Sequence, residues 1–233
     1  MTPLDILYTP LDTPPVPKTD IPKLLSWIEK HAVKQELSVR YDASEIKEVS
    51  NIYPWNIIYP RYEGKWNFDF DKEFPELAEF FYSGYGIKEE DVYGVVLLPV
   101  KNEFAGVGFW HSDPDIHGIR LYIENHETEG FLLMKPTVTP YDERPDFYET
   151  NQDFSTTPLQ DKVLTPKLQA YNQTFYLNNT RAIHAVNTIN PGTLRIAVII
   201  VCLGDENLDK HLDDLVVRSA EKFKDYAILW EQQ

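Results

Sequence analysis

The sequence has little cysteine, few basic residues and no long apolar runs. Its one cysteine, Cys202, excludes an internal disulfide, and its place in an apolar run predicts a buried strand thiol. Lys and Arg together number 22 against 37 Asp and Glu, which gives a net charge of −15. Because phosphate groups are bound by clustered basic side chains, this balance argues against nucleic acid or an anionic membrane as a partner.

No apolar run approaches the roughly 18 to 20 residues that a membrane-spanning helix needs. The N-terminal residues also lack the basic and then apolar start of a secretory signal. We therefore expect a cytoplasmic protein. A chain of 233 residues, 42% of them hydrophobic, is long enough for one core, so we expect a single domain over residues 1–233.

Aromatic residues and prolines are plentiful, at 13% and 17 residues, and this composition favours strands and ordered loops. Short β-rich runs, each bounded by Gly, Pro, Asn or Asp, follow one another through the middle of the chain. They are residues 94–100, 106–113, 119–125, 131–138, 174–179, 182–188 and 194–203. This pattern predicts a mainly β fold with flanking helices, in which a double-sheet jelly roll or barrel spans residues 94–203.

Residues 1–93 are expected to form an N-terminal arm and a helical flank. The proline-rich residues 1–18 should run extended over the surface, and helical spacing predicts helices at 21–33 and 71–83.

Two further segments complete the predicted organisation. Residues 139–169 are polar and too long for a hairpin loop, so we interpret them as a lid or binding loop inserted in the core. The C-terminal flank, 204–233, should contain an amphipathic helix at 207–226.

Two His-x-Asp motifs are present, at His111-Ser112-Asp113 and His211-Leu212-Asp213. Residues i and i+2 share a face on a strand but diverge by roughly 200° around a helix. His211 lies in the predicted C-terminal helix, which favours a solvated helix residue. His111 and Asp113 end a predicted strand, so both side chains can converge on one metal ion.

A third ligand is available on a later strand, where His184 has small and apolar neighbours. Two histidines and one carboxylate leave metal positions open for O₂ and an α-keto acid, an arrangement typical of Fe(II) oxygenases. His117 and His126 could add ligands, but their positions favour ordinary turn or surface histidines.

A turn sequence at 187–193, with Pro-Gly suited to the centre of a type II turn, predicts that strand 194–203 folds back beside strand 182–188. Arg195 would then lie roughly 10–13 Å from His184 along the sheet. A buried guanidinium needs an anionic partner, and a five-carbon dicarboxylate bound to the metal would fill that gap. Arg120 and Tyr122 alternate with apolar residues on another strand, which places them together on one face.

These segments resemble the 2-oxoglutarate-dependent oxygenases, in particular the aspartyl/asparaginyl β-hydroxylase-like group that includes proline cis-4-hydroxylase. The resemblance covers roughly residues 94–203. It rests on Trp-His-Ser-Asp-Pro, on Ile-Arg-Leu-Tyr-Ile, and on Ile-His-Ala-Val-Asn followed by Leu-Arg-Ile-Ala. It implies a double-stranded β-helix, the cupin-like jelly roll that binds metal.

The resemblance also implies roles for individual residues. His111, Asp113 and His184 would bind Fe(II). Arg195 would bind the distal carboxylate of 2-oxoglutarate, with Arg120 near its other end and Tyr122 beside them.

The implied reaction is hydroxylation by O₂ of an amino-acid-type substrate, free or in a peptide, with release of succinate and CO₂. Arg144 and Arg181 are candidate contacts to a substrate carboxylate. One alternative is a non-catalytic jelly-roll binding module that uses the aromatic-rich residues 53–70. Another is a metal-dependent cupin enzyme with different chemistry. The sequence does not indicate an oligomeric state.

Overall fold

The computed structural model describes residues 1–31, 33–34, 56–101, 106–107, 117–125, 132–135, 164–166, 174–179 and 181–230. Over these residues the chain is mainly antiparallel sheet with few helices, which agrees with the β-rich class predicted from sequence. Within the same ranges, no helix is both long and apolar enough to cross a bilayer.

The strands form two antiparallel sheets. The strands of the large sheet are β1 (Ile6–Pro10), β2 (Val33–Lys34), β3 (Asn56–Tyr62), β4 (Lys65–Trp66), β5 (Val92–Val100), β7 (Ile119–Asn125), β9 (Thr174–Leu177), β11 (Arg195–Cys202) and β12 (Ile228–Leu229). Their order across the sheet is β12-β1-β9-β7-β11-β5-β3-β2, with β4 paired to β3. The small sheet has the order β6-β10-β8 and consists of β6 (Gly106–Val107), β8 (Leu132–Lys135) and β10 (Ile183–Thr188).

The α-helices among the described residues flank the sheets: α1 (Ile21–His31), α2 (Phe70–Glu73), α3 (Pro75–Ser83) and α4 (Glu206–Lys222). The helix predicted at 71–83 is interrupted at Phe74, because the residue before a proline is disfavoured in the helical region and Pro75 begins the next helix. The side chain of Asp205 caps α4 by accepting hydrogen bonds from the N–H groups of Asn207 and Leu208.

The helices cover one face of the large sheet. Alternation along β11 turns Ile196, Val198 and Ile200 toward this helix-side core, which also contains Leu121 and Leu212. The opposite face carries a second apolar cluster, which we call the inner cluster: Leu7, Tyr8, Tyr122, Phe175, Leu177 and Ala182. As predicted, Tyr122 lies on the face opposite its apolar neighbours in β7. Cys202 is buried and unpaired, also as predicted.

The prediction of a surface arm over residues 1–18 was wrong at residues 6–11, which are buried, whereas residues 12–18 form no helix or strand and are exposed or half-buried. The chain turns through a short 3-10 helix at Pro3–Asp5 and then forms β1, whose five residues are all buried. β1 lies between β9 and β12 inside the large sheet. Its proline, Pro10, ends the strand, a position where a missing N–H group is tolerated.

The hairpin predicted between residues 182–188 and 194–203 was also wrong. β10 pairs with β6 and β8 in the small sheet, whereas β11 pairs with β5 and β7 in the large sheet. The turn itself is present: Thr193 donates its N–H to the carbonyl of Asn190, and Gly192 has φ +81°. A turn fixes a local reversal of the chain but not the strands that pair beyond it.

Most other predicted strands agree with the structure within two or three residues at each end, and β7 has the predicted bounds. Two strands in the aromatic-rich stretch, β3 and β4, were not predicted. The predicted lid at 139–169 lies outside the described residues except for 164–166.

Candidate functional site

Two of the three predicted metal ligands, His111 and Asp113, lie outside the described residues, as does Arg144. Within the ranges that are described, no group of three or more His, Cys, Asp or Glu side chains is placed to hold a metal ion. The three-ligand site therefore stays a prediction, and His184 is its one proposed ligand within the described residues.

His184 is buried in β10, opposite Met134 of β8. Its Nδ1 lies 2.8 Å from the carbonyl oxygen of Ala182. A carbonyl can only accept a hydrogen bond, so Nδ1 carries the proton; when the ring is neutral, Nε2 is then the nitrogen with the lone pair. A metal-binding histidine commonly has this state, in which the second ring nitrogen donates to a fixed oxygen. The His184 side chain therefore fits a metal ligand.

Arg195 begins β11 and is 7% exposed. It lies between Val100 of β5 and Asn125 of β7 in the sheet register. No carboxylate among the described residues pairs with its guanidinium. A buried charge without a partner is unfavourable, so Arg195 has the properties expected of a group that binds an anion.

Arg61, which is also deeply buried, has the partners that Arg195 lacks among the described residues. Its Nε donates to the carbonyl of Val92 at 2.7 Å. Its Nη1 and Nη2 donate to the side chain and carbonyl of Glu89, each at 2.9 Å. The guanidinium also lies 4.8 Å from the centre of the Trp66 ring. Arg61 is thus a structural arginine, and Arg195 is not explained in the same way.

Tyr122 and Arg120 share the face of the large sheet to which Arg195 belongs. In the register of β7 against β11, Tyr122 lies opposite Ala197 and Arg120 opposite Ile199. Residues 195, 197 and 199 alternate onto one face, so the two arginine positions, on neighbouring strands, are offset by about 13 Å along the strand direction at roughly 3.3 Å per residue. Tyr122 lies between them.

The protonation state of Tyr122 follows from its surroundings. Burial raises the pKa of its phenol, while the positive charges of Arg195 and Arg120 act in the opposite direction. With its pKa above the usual value of a tyrosine, Tyr122 is neutral near pH 7, so its phenol keeps the O–H group that can act as a hydrogen-bond donor.

The inner cluster supplies an apolar, aromatic wall next to these polar groups. The ring of Phe175 stacks on Tyr122 at 5.3 Å and lies 5.5 Å from the ring of Tyr8. Tyr8 comes from β1, which sequence reasoning had assigned to a surface arm. Ala182, two residues before His184, belongs to the same cluster, so the start of β10 packs against this face.

Arg120 also contacts the turn that precedes His184. Its Nη2 donates to Oδ1 of Asn179 at 3.1 Å. Asn178 and Asn179 are both buried and were not singled out from the sequence. Their signal was weak, because Asn is frequent in ordinary turns after a strand.

His211 agrees with its prediction as an exposed helix residue. His211 is exposed in α4, and its Nε2 lies 3.0 Å from the carbonyl oxygen of Tyr85. Asp213 is partly buried in the same helix, and burial raises its pKa. Nε2 of His117 lies 2.9 Å from a carboxylate oxygen of Asp209. His126 lies outside the described residues.

Arg181 faces the C-terminal segment. Its guanidinium lies 5.4 Å from the centre of the Trp230 ring, and its backbone N–H donates to the side chain of Asn178 at 3.2 Å. Its predicted role as a contact to the substrate stays a prediction.

No protein-family model and no curated protein matches the sequence. Two solved structures show a distant likeness in backbone fold. AviO1 from Streptomyces viridochromogenes Tue57 aligns with a TM-score of 0.43 and 13% identity over 88% of this chain and 94% of AviO1. EvdMO1 aligns with a TM-score of 0.40 and 16% identity over 85% of this chain, which spans about half of EvdMO1 (48%). These likenesses are too weak to place the chain in a family.

Proposed function

We propose that this chain is an Fe(II)- and 2-oxoglutarate-dependent oxygenase with a jelly-roll core, and that it hydroxylates an amino-acid-type substrate. In this proposal His111, Asp113 and His184 bind the metal. Arg195, Arg120 and Tyr122 bind the cosubstrate. The substrate is a small molecule or a peptide side chain.

The path of the chain supports the jelly-roll part of the proposal. From β5 to β11, successive strands alternate between the large and the small sheet: β5, β7, β9 and β11 belong to the large sheet, and β6, β8 and β10 to the small sheet. A double-stranded β-helix has this alternation, because each turn of the chain contributes one strand to each sheet. β10, which carries His184, and β11, which begins with Arg195, are neighbours in sequence but lie in different sheets.

The observation that carries the functional proposal is Arg195. Its guanidinium is buried, has no acidic partner among the described residues, and shares a face with a second arginine and a neutral tyrosine. Two cations on either side of a phenol O–H suit a ligand with two carboxylates. The dicarboxylate 2-oxoglutarate is such a ligand, and binding would neutralise a charge that no described carboxylate compensates.

The protein's own residues would bind and orient the reactants. Fe(II), when bound with 2-oxoglutarate and O₂, supplies the oxidising chemistry that replaces a C–H bond of the substrate with C–OH and releases succinate and CO₂. His184 would present Nε2 to the metal while Ala182 holds its Nδ1–H. The inner cluster would exclude water from the reacting groups.

The first test is whether the protein converts 2-oxoglutarate to succinate with Fe(II) across a panel of amino acids and peptides. His111→Ala, Asp113→Ala and His184→Ala should each abolish succinate formation and weaken anaerobic Fe(II) binding. His211→Ala is the matched control, because His211 is an exposed helix residue, and it should retain both properties. Equal activity in the His184 and His211 variants would rule out the metal assignment.

The second test concerns the anion site. Arg195→Met should raise the KM for 2-oxoglutarate by about a hundredfold, because the carboxylate would lose its charged, two-pronged partner in a water-poor environment. Arg195→Lys should recover only part of the loss, since an ammonium group cannot form the same paired hydrogen bonds. Fe(II) binding should persist in both variants. An unchanged KM in Arg195→Met would show that another group anchors the cosubstrate.

A non-catalytic binding module is the alternative, and the exposed side chains of Tyr59, Tyr62 and Phe68 favour it. Tyr59 and Tyr62 lie edge to face at 5.9 Å, which gives an aromatic surface suited to a partner. This surface provides no partner for Arg195. Absence of succinate formation under every condition, with retained 2-oxoglutarate binding, would favour the alternative.

A further inference from the structure

Asn178, Asn179, Arg181 and Ala182 lie between β9 and β10, just before His184, and we call these four residues the Asn178 turn. Ala182 donates its N–H to the carbonyl of Asn178 at 2.8 Å. Arg181 donates its N–H to the Asn178 side chain at 3.2 Å. Two consecutive buried asparagines are costly unless their polar groups are hydrogen-bonded, so this turn has a specific conformation.

Two strands of the large sheet hold the turn from outside. From β1, the carbonyl of Leu7 accepts the N–H of Asn178 at 2.9 Å. From β7, Nη2 of Arg120 donates to Oδ1 of Asn179 at 3.1 Å.

The start of β7 also approaches the turn closely at Gly118. Its carbonyl accepts the N–H of Leu177 at 2.9 Å. A Cβ atom at this position would lie 1.7 Å from the carbonyl oxygen of Leu177, so only glycine permits this approach. β7 and the turn are therefore fixed relative to each other by both backbone and side chain.

The turn ends at the group that orients His184. The carbonyl of Ala182 accepts the imidazole Nδ1–H at 2.8 Å, and the same residue's N–H closes the turn on Asn178. A shift of the turn would therefore move the acceptor that sets both the tautomer and the direction of the ring.

We infer that Asn179, held by Arg120, is a positioning residue for His184: it fixes the turn whose last carbonyl selects the Nδ1–H tautomer and aims Nε2 at a metal. The metal part of this inference rests on the proposed function. The tautomer part does not, because it concerns contacts within the protein.

The metal part can be tested with Co(II) as the probe, titrated anaerobically into the full-length chain while the visible spectrum is recorded. Asn179→Leu removes the acceptor for Arg120. It should weaken Co(II) binding about tenfold, the low end of the loss caused by removing a group that orients a metal ligand. The visible spectrum of the bound Co(II) should also change. Asn179→Asp keeps an oxygen acceptor for Arg120 and should bind Co(II) within about twofold of wild type.

Thr174→Val is the matched control. Thr174 is a buried polar residue of β9 that pairs with Leu121 on the helix side, and it hydrogen-bonds to Thr13. Its loss should lower stability without affecting Co(II) binding. If Asn179→Leu fails to fold by circular dichroism, Asn179→Ala takes its place in the comparison.

The tautomer part is read in the metal-free protein by long-range ¹H–¹⁵N NMR of the imidazole, with His184 assigned by its absence in His184→Gln. Wild type and Asn179→Asp should show the Nδ1–H tautomer, and Asn179→Leu a mixture. If wild type binds no Co(II), the proposed function fails, and this spectrum still decides the positioning role. If wild type binds Co(II) but Asn179→Leu matches Thr174→Val in both measurements, the positioning inference is wrong and the metal site stands.

Discussion

At the scale of single residues, Arg61 and Arg195 are both buried but differ in what surrounds them. Arg61 is 3% exposed and donates to two carbonyls and one carboxylate. Arg195 is nearly as buried, yet no acidic side chain in the described part of the chain pairs with it. The described residues neutralise the charge of Arg61 but provide no acidic side chain for Arg195.

This difference predicts opposite effects on the stability of the ligand-free protein. Arg61→Met should lower the free energy of unfolding by about 3 kcal/mol or more. It leaves the carbonyls of Val92 and Glu89 without their hydrogen-bond donor and breaks a partly buried ion pair. Arg195→Met should leave it unchanged or raise it by about 1 kcal/mol, since it removes an uncompensated charge. Urea unfolding of both variants measures the difference. A loss in Arg195→Met as large as that in Arg61→Met would mean that Arg195 has a structural role.

At the scale of elements, some strands could be predicted from sequence and others could not. β7 has its predicted bounds because Ile119, Leu121 and Ile123 alternate with polar residues after a glycine. β1 was missed because its flanking prolines outweighed a short run of apolar residues. The partners of β10 and β11 were assigned wrongly, because a turn sequence carries no information about strands far away in the chain.

The buried position of β1 leads to a prediction with a matched control. Leu7 is 1% exposed and belongs to the inner cluster, whereas Leu4, three residues earlier, is 56% exposed. Leu7→Ala should lower the free energy of unfolding by about 2–5 kcal/mol through lost burial and the cavity that remains. Leu4→Ala should change it by less than about 0.5 kcal/mol. Similar small effects in both variants would show that β1 contributes little to the core.

At the scale of the whole molecule, the residues of the candidate site could be predicted from the sequence, but the contacts between them could not. Spacing and alternation pointed to His184, Arg195, Arg120 and Tyr122 before the fold was known. The bond between Arg120 and Asn179 joins residues 59 apart in sequence, so no local pattern contains it. The same holds for Tyr8, which reaches the inner cluster only because β1 adds to the far side of β9.

Buried tyrosines in both cores determine how the whole molecule should respond to alkaline pH. Burial raises the pKa of Tyr8 and Tyr85 well above the usual value of 10.0, and it also raises that of Tyr122. In the unfolded chain these phenols lose their protons near pH 10, while in the folded chain they stay protonated. Above about pH 10 the unfolded state therefore binds fewer protons than the folded state. The free energy of unfolding keeps its full value below about pH 10 and falls as the pH rises further, by up to about 1.4 kcal/mol per pH unit for each tyrosine.

Tyr85→Phe isolates one of these contributions. The Tyr85 hydroxyl is buried and finds no hydrogen-bond partner in the described structure, so its removal should raise the free energy of unfolding at pH 8 by about 1 kcal/mol. Above pH 10 the variant should also lose stability less steeply, by about 1.4 kcal/mol per pH unit, because one phenol no longer ionises in the unfolded chain. Tyr226→Phe, at an exposed tyrosine, is the control, and its free energy of unfolding should match that of the wild type at pH 8 and above pH 10. Urea unfolding from pH 8 to pH 11 measures both effects, and equal slopes for the two variants would show that the buried Tyr85 phenol does not govern the alkaline loss.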